Sequence, residues 1–143
     1  MKRRSFVTAA AAAPLVTAAP AAPPRLVLKT RRLNLLHTWT TVMSSSDYRD
    51  TFYVEYTRDG ITGIGEGAPI IRYKESAQTC TEAVEQIRPW LESCDPWQYQ
   101  KVMAGVFAKI EGNWAAKAAL DIAILDWIGK RQNLPLWKFL GLD

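Results

Sequence analysis

From Arg25 to His37 the run RLVLKTRRLNLLH alternates apolar and polar residues, most plainly where Leu33 and Leu35 stand against Arg32 and Asn34. A period of two sends successive side chains to opposite faces of an extended chain, so this run predicts a β-strand. A polar loop, MSSSDYRD over 43–50, follows. The next run, TFYVEYTR, places Phe52, Val54 and Tyr56 on one face and Tyr53, Glu55 and Thr57 on the other. Asp59-Gly60 then marks a tight hairpin, because a type I′ turn needs positive φ at both central positions. Ile61 to Gly65 is the returning strand, and its glycines suggest a bulge or a close backbone approach. These runs predict a three-stranded antiparallel meander.

Beyond Tyr73 the period becomes helical. Thr79-Cys80-Thr81-Glu82 matches a capping box, and Cys80, Val84, Ile87, Leu91 and Cys94 recur at three- and four-residue steps. Pro89 falls inside this pattern and is expected to kink or break it. Asp95-Pro96, with Gln98 completing the box, opens a second helix striped by Val102, Met103, Val106, Phe107 and Ile110 and ended by Gly112. Asn113 is expected to cap a third, WAAKAALDIAILDWIGK. Only Lys117, Asp121 and Asp126 interrupt its apolar residues before Gly129, so it should be buried on most sides. A short turn, PLWKFLG, closes the chain. The fold class is α+β: the meander followed by a bundle of three to four helices.

Composition narrows this picture. With 143 residues, 48% hydrophobic and 22% charged, the chain supports one globular domain. It is too short for a (β/α)₈ barrel, which needs about 250 residues. The net charge of +4 and pI near 9.2 invite nucleic acid as a partner, but the charge is lopsided. No acidic residue precedes Asp47, and the first 24 residues hold Lys2, Arg3 and Arg4, nine alanines and half of the prolines. A basic start, a mildly apolar stretch and small residues at Ala19 and Ala21 describe an export signal. Arg3-Arg4-Ser5-Phe6-Val7 resembles the twin-arginine type, which implies a periplasmic or extracellular destination. The stretch is too short and too alanine-rich to be a membrane anchor. Residues 1–22 are therefore read as signal and 23–142 as the domain. Without Lys2, Arg3 and Arg4, fifteen basic residues face fourteen acidic ones and the charge falls to +1. That removes the electrostatic footprint for nucleic acid.

Candidate chemistry is sparse. His37 is the single histidine, so no histidine pair can form, and no nucleophile-elbow context surrounds Ser44 to Ser46. Gly63-Ile64-Gly65-Glu66-Gly67 has the wrong spacing for a dinucleotide loop. Asp121 and Asp126 diverge on a helix and fit i,i+4 ion pairs with Lys117 and Lys130. Cys80 and Cys94 would lie about 21 Å apart on a continuous helix, well beyond disulfide reach, and are read as buried free thiols.

The order of features resembles a specific family. The meander, GIGEGAP at 63–69, AAKAALDIAILDWIGK at 115–130 and NLPLWKFLG at 133–141 look like the N-terminal capping domain of the enolase superfamily. The branch is that of mandelate racemase and muconate lactonizing enzymes, and the segment from Leu28 to Pro69 looks most like dipeptide epimerases. The resemblance implies an isomerase whose C-terminal (β/α)₇β barrel carries lysine bases and an Asp/Glu/Asp set holding Mg²⁺. That metal stabilises the enediolate left when the α-proton is removed. No Lys-x-Lys occurs here, so no catalytic base or metal ligand is assigned to this chain, and alone it should be inactive.

What the resemblance leaves to this domain is closure over a small-molecule carboxylate such as a dipeptide, within a homo-oligomeric enzyme. The segments implied are 38–50 and 69–73. Arg49 or Arg72 would pair with the substrate carboxylate, and Thr40, Met43, Tyr48 and Tyr73 would shape the pocket. Muconate cycloisomerases, succinylbenzoate synthases and sugar-acid dehydratases share this cap, and a free-standing binding module is the non-catalytic alternative.

Overall fold

The computed structural model describes residues 23–142, so the signal reading for 1–22 lies outside the described residues. Three strands, β1 (Arg25–Thr40), β2 (Ser45–Arg58) and β3 (Ile61–Gly67), form an antiparallel sheet in the order β1-β2-β3. The helices α1 (Ala77–Ser93), α2 (Tyr99–Lys109), α3 (Trp114–Arg131) and α4 (Leu136–Phe139) follow, with 3₁₀ turns at Ile71–Tyr73 and Pro96–Gln98. This is the expected α+β meander and helix bundle. The Asp59-Gly60 hairpin has positive φ at both positions, 52° and 74°.

Leu26, Phe52, Val54 and Tyr56 form the buried face of the sheet. Cys80, Val84, Ile87 and Leu91 of α1, Val102 and Val106 of α2, and Leu120, Ile124 and Trp127 of α3 close the core over it. Burial of this kind drives the fold, at roughly 25 cal/mol per Å² of apolar surface. Trp127 is fully buried, with its ring edge-on to Tyr56 and Trp97 at 6.2 and 5.4 Å, and its indole Nε1 donates to the Arg58 carbonyl at 2.9 Å.

The glycines of β3 make the expected close approach. A Cβ on Gly63, Gly65 or Gly67 would lie 2.0, 1.9 or 2.0 Å from the carbonyl oxygen of Ala123, Ala119 or Ala115. The match is one of periods: two strand residues advance about 6.7 Å and four helix residues about 6.0 Å. A glycine at every second strand position therefore meets an alanine at every fourth helix position, and α3 lies directly on the strand.

Each outer edge of the sheet is met at one point by an ion pair from a helix. On α1, Glu92 accepts from the Leu26 amide at 3.2 Å and Arg88 donates to the Leu26 carbonyl. On α3, Asp126 accepts from the Ile64 amide at 2.7 Å, while its ion-pair partner Lys130 donates to the Thr62 carbonyl at 2.9 Å. Pairs four residues apart span a strand's exposed amide and carbonyl, which blunts the edges against pairing with another chain.

Several sequence expectations are corrected. The stretch over 43–50 is mostly strand, because Arg32 pairs with Asp50, Asn34 with Tyr48 and Trp39 with Ser46, leaving only 41–44 as the turn. Cross-strand side-chain bonds from Arg32 to Asp50, Thr38 to Asp47 and Thr40 to Ser45 accompany the backbone ladder, so polar side chains do not end it. The α1 capping box lies one turn earlier, with the Ser76 hydroxyl accepting from the Thr79 amide and Thr79 from the Ser76 amide. Pro89 does not break α1, since the helix is held on the sheet by buried Ile87 and Leu91 on either side of it. Phe107 is half exposed rather than core.

Lys117 does not pair with Asp121. It is 5% exposed, with Nζ 4.3 and 4.9 Å from the Trp114 and Phe107 ring centres, a cation–π clamp. Asp121 instead accepts from the Tyr99 hydroxyl, and burial together with that carboxylate pushes the phenol up to about 12. Cys80 and Cys94 are free thiols as expected, Cys80 buried and Cys94 only half-buried. Burial, with Glu75 nearby, pushes Cys80 up to about 11, so it is an inert packing residue.

Candidate functional site

β3 pairs only with Phe52–Arg58, so the outer halves of β1 and β2 project beyond the third strand as a two-stranded arm. A cleft of about 740 Å³ runs along this arm from Thr30 at its base to Ser44 at its turn. Its opposite wall is Pro69, Ile71 and the start of α1. The cleft therefore lies between the two segments that the sequence singles out.

Of the six residues expected there, Tyr48 and Arg49 line the cleft. Arg72 and Tyr73 stand in the exposed 3₁₀ turn beside its wall but not in its lining. Thr40 and Met43 stay at the far end of the arm, where the Thr40 hydroxyl meets Ser45 at 3.0 Å and the Met43 amide bonds Thr41 at 3.2 Å. Neither is in the lining, although it reaches Ser44 and Ser45 beside them.

The arm's acids are already engaged. Asp50 receives two parallel bonds from Arg32, both 2.7 Å, and the Arg32 guanidinium lies 4.0 Å above the Tyr48 ring. Arg32 thereby holds the Asp50 carboxyl below the usual carboxylate range, and Asp50 raises Arg32 in turn. Asp47 accepts from the Thr38 hydroxyl at 2.5 Å. Arg49, although flanked by both acids in sequence, makes no ion pair among the described residues, and neither does Arg72. The Arg32–Asp50–Tyr48 stack is not legible in the sequence, because it depends on the cross-strand register.

This arrangement can bind an anion and enclose it, but it has no proton-transfer pair. His37 is exposed on β1. Among the described residues no cluster of three or more His, Cys, Asp or Glu side chains could hold a metal. Large apolar side chains instead stand in solvent on both segments, including Leu36, Trp39, Val42 and Met43 on the arm and Ile71 and Tyr73 on the turn. Exposed apolar groups of this size mark a surface meant for a partner or ligand.

Comparison with known proteins agrees with this architecture. Residues 28–141 match the model of the mandelate racemase / muconate lactonizing enzyme N-terminal domain. An L-Ala-D/L-amino acid epimerase from Pedosphaera parvula is 35% identical over 114 residues, covering 77% of this chain and 32% of that protein. The crystal structure of a dipeptide epimerase from Enterococcus faecalis, complexed with Mg and the dipeptide L-Leu-L-Tyr, is 29% identical with a TM-score of 0.72. That match covers 80% of this chain and 33% of the other. The substrate-liganded L-Ala-D/L-Glu epimerase from Bacillus subtilis shares the fold at a TM-score of 0.76 and 24% identity, over 81% of this chain and 33% of that one. The chain thus spans about a third of the length of the curated relatives it matches.

Proposed function

The chain belongs to the mandelate racemase / muconate lactonizing enzyme family through its N-terminal domain, and from this premise we propose that it is the substrate-covering part of an exported, Mg²⁺-dependent dipeptide epimerase. Such an enzyme inverts an α-carbon by removing and returning its proton. The described residues offer Mg²⁺ no ligand cluster, so the metal and the proton-transferring bases are assigned to a barrel domain. This chain's share is recognition and closure.

The observation that carries the reading is Arg49. Its neighbours Asp47 and Asp50 are taken by Thr38 and Arg32, and among the described residues its guanidinium makes no ion pair in the wall of a cleft large enough for a dipeptide. A planar guanidinium is the preferred partner for a carboxylate.

The test is to read the coding DNA past Asp143. An open frame encoding Lys-x-Lys and then spaced Asp, Glu and Asp is expected. The protein it encodes should wash deuterium from D₂O into the α-position of L-Ala-L-Glu when Mg²⁺ is present. Arg49→Ala in that protein should lower kcat/KM on the order of tenfold to a hundredfold, the worth of a hydrogen-bonded charge pair. The 143-residue chain alone should give no exchange. A stop codon directly after Asp143, or turnover by the isolated chain, would overturn the proposal.

Export rests on residues 1–22 and has its own test. A reporter fused behind them should reach the periplasm, and changing Arg3 and Arg4 to lysine should retain it in the cytoplasm. Unchanged export of the double-lysine variant would reject the twin-arginine route.

A further inference from the structure

α3 begins without a cap of its own. Asn113, expected to cap it, sits in the left-handed region at φ 45°, and its side chain makes no bond to the first turn. Its amide nitrogen donates to the Glu111 carbonyl at 3.3 Å, and its side-chain oxygen is buried without a partner. The first amides of a helix have no acceptor within the helix and must find one elsewhere. At α3 they find Glu75, 39 residues earlier: Oε1 accepts from the Trp114 amide at 2.6 Å and Oε2 from the Ala115 amide at 3.3 Å. Glu75 is 7% exposed, and its charge is favoured at the positive end of the helix.

Glu75 also ends the turn that carries Arg72 and Tyr73. That turn is tied locally by the amides of Tyr73 and Glu75 to the Ile70 carbonyl, at 3.1 and 3.3 Å, and of Lys74 to the Ile71 carbonyl at 2.8 Å. None of the residues 70–74 is buried, and none belongs to the core cluster or to the side chains packed against it. α3, by contrast, is seated on β3 along the glycine seam. One carboxylate therefore joins a segment outside the core to a helix seated on the sheet.

We propose that Glu75 is a positioning residue that sets where Arg72 and Tyr73 stand beside the cleft, by fixing their turn to the N-terminus of α3. This rests on the reading of residues 69–73 as a substrate-contacting segment, but its test does not depend on turnover.

Amide hydrogen exchange of the 143-residue chain is compared for wild type, Glu75→Ala, Glu75→Gln and a core control, Ile124→Val. In Glu75→Ala, exchange at Tyr73, Lys74, Trp114 and Ala115 should rise on the order of tenfold or more above the change at Val54 and Val84. Glu75→Gln keeps one acceptor oxygen and should restore protection to part of this set. Ile124→Val should instead shift amides throughout the core. A uniform rise in Glu75→Ala matching the Ile124→Val pattern would refute the positioning role.

If Glu75→Ala does not fold, the wild type still decides. A through-hydrogen-bond correlation between the Trp114 amide nitrogen and the Glu75 carboxyl carbon is expected, and its absence would overturn the proposal. Failure of the substrate reading would show instead in the activity of the longer protein, with these exchange patterns unaltered.

Discussion

Gly65→Ala should destabilise the domain by about 3 kcal/mol or more, at the upper end of what overpacking costs. The new methyl carbon would lie 1.9 Å from the Ala119 carbonyl oxygen and 2.7 Å from the Ala123 amide nitrogen, and both are backbone atoms. No rotamer change relieves such a collision. Ordinary contact requires about 3.5 Å, so α3 would have to retreat on the order of 1.5 Å from β3. That retreat also loosens the matching approaches at Gly63 and Gly67. A domain of this size has only about 5–15 kcal/mol in total, so a large unfolded fraction is expected.

Urea denaturation of Gly65→Ala beside Glu66→Ala measures the effect, because Glu66 is exposed on the same strand and should change stability by less than about 0.5 kcal/mol. Ala119→Gly should not rescue Gly65→Ala, since the obstacle is the carbonyl and not the alanine methyl. A Gly65→Ala chain within about 1 kcal/mol of wild type would show that the seam is looser than described.

Trp127→Ala should cost about 3–5 kcal/mol, the range for removing a fully buried aromatic side chain. The indole has no solvent exposure, packs edge-on against Tyr56 and Trp97, and satisfies the Arg58 carbonyl. The Arg58 guanidinium in turn donates to the Cys94 carbonyl at 2.6 Å, so Arg58, bonded to α3 through its carbonyl, ties the end of β2 to the end of α1. Trp127→Phe separates the two contributions. It keeps an aromatic ring but orphans the carbonyl, and should cost about 1–3 kcal/mol. Near-ultraviolet circular dichroism and urea midpoints report both variants. Equal losses in the two would mean that packing contributes little and the hydrogen bond nearly everything.

These two positions show unequal legibility. The GIGEG run is visible in the sequence, and its glycines predict a close approach, but not to what. The answer requires that Ala115, Ala119 and Ala123 lie opposite, which follows from the docking of α3. Asp126 and Lys130 are readable as an i,i+4 pair, whereas their bonds to the Ile64 amide and Thr62 carbonyl join residues more than sixty positions apart. The candidate site follows the same division. Its two segments are what the family resemblance implies, and Tyr48 and Arg49 lie in the cleft wall. That Arg49 makes no ion pair among the described residues is not legible, because it depends on the β1–β2 register that sets Arg32 opposite Asp50.

The three strands, the helices and their order are legible in the residue pattern, since alternation, helical spacing and Asp-Gly turn chemistry act within a few residues. The family is legible too, through motifs whose order survives at about a third identity. Packing between distant segments is what keeps Pro89 helical, makes the arm strand nearly to its turn, and caps α3 with Glu75 rather than Asn113. The physical reason is common to these. A helix end, a strand edge or an unpaired charge takes the best partner that packing brings within about 3 Å, and that partner need not be near in sequence.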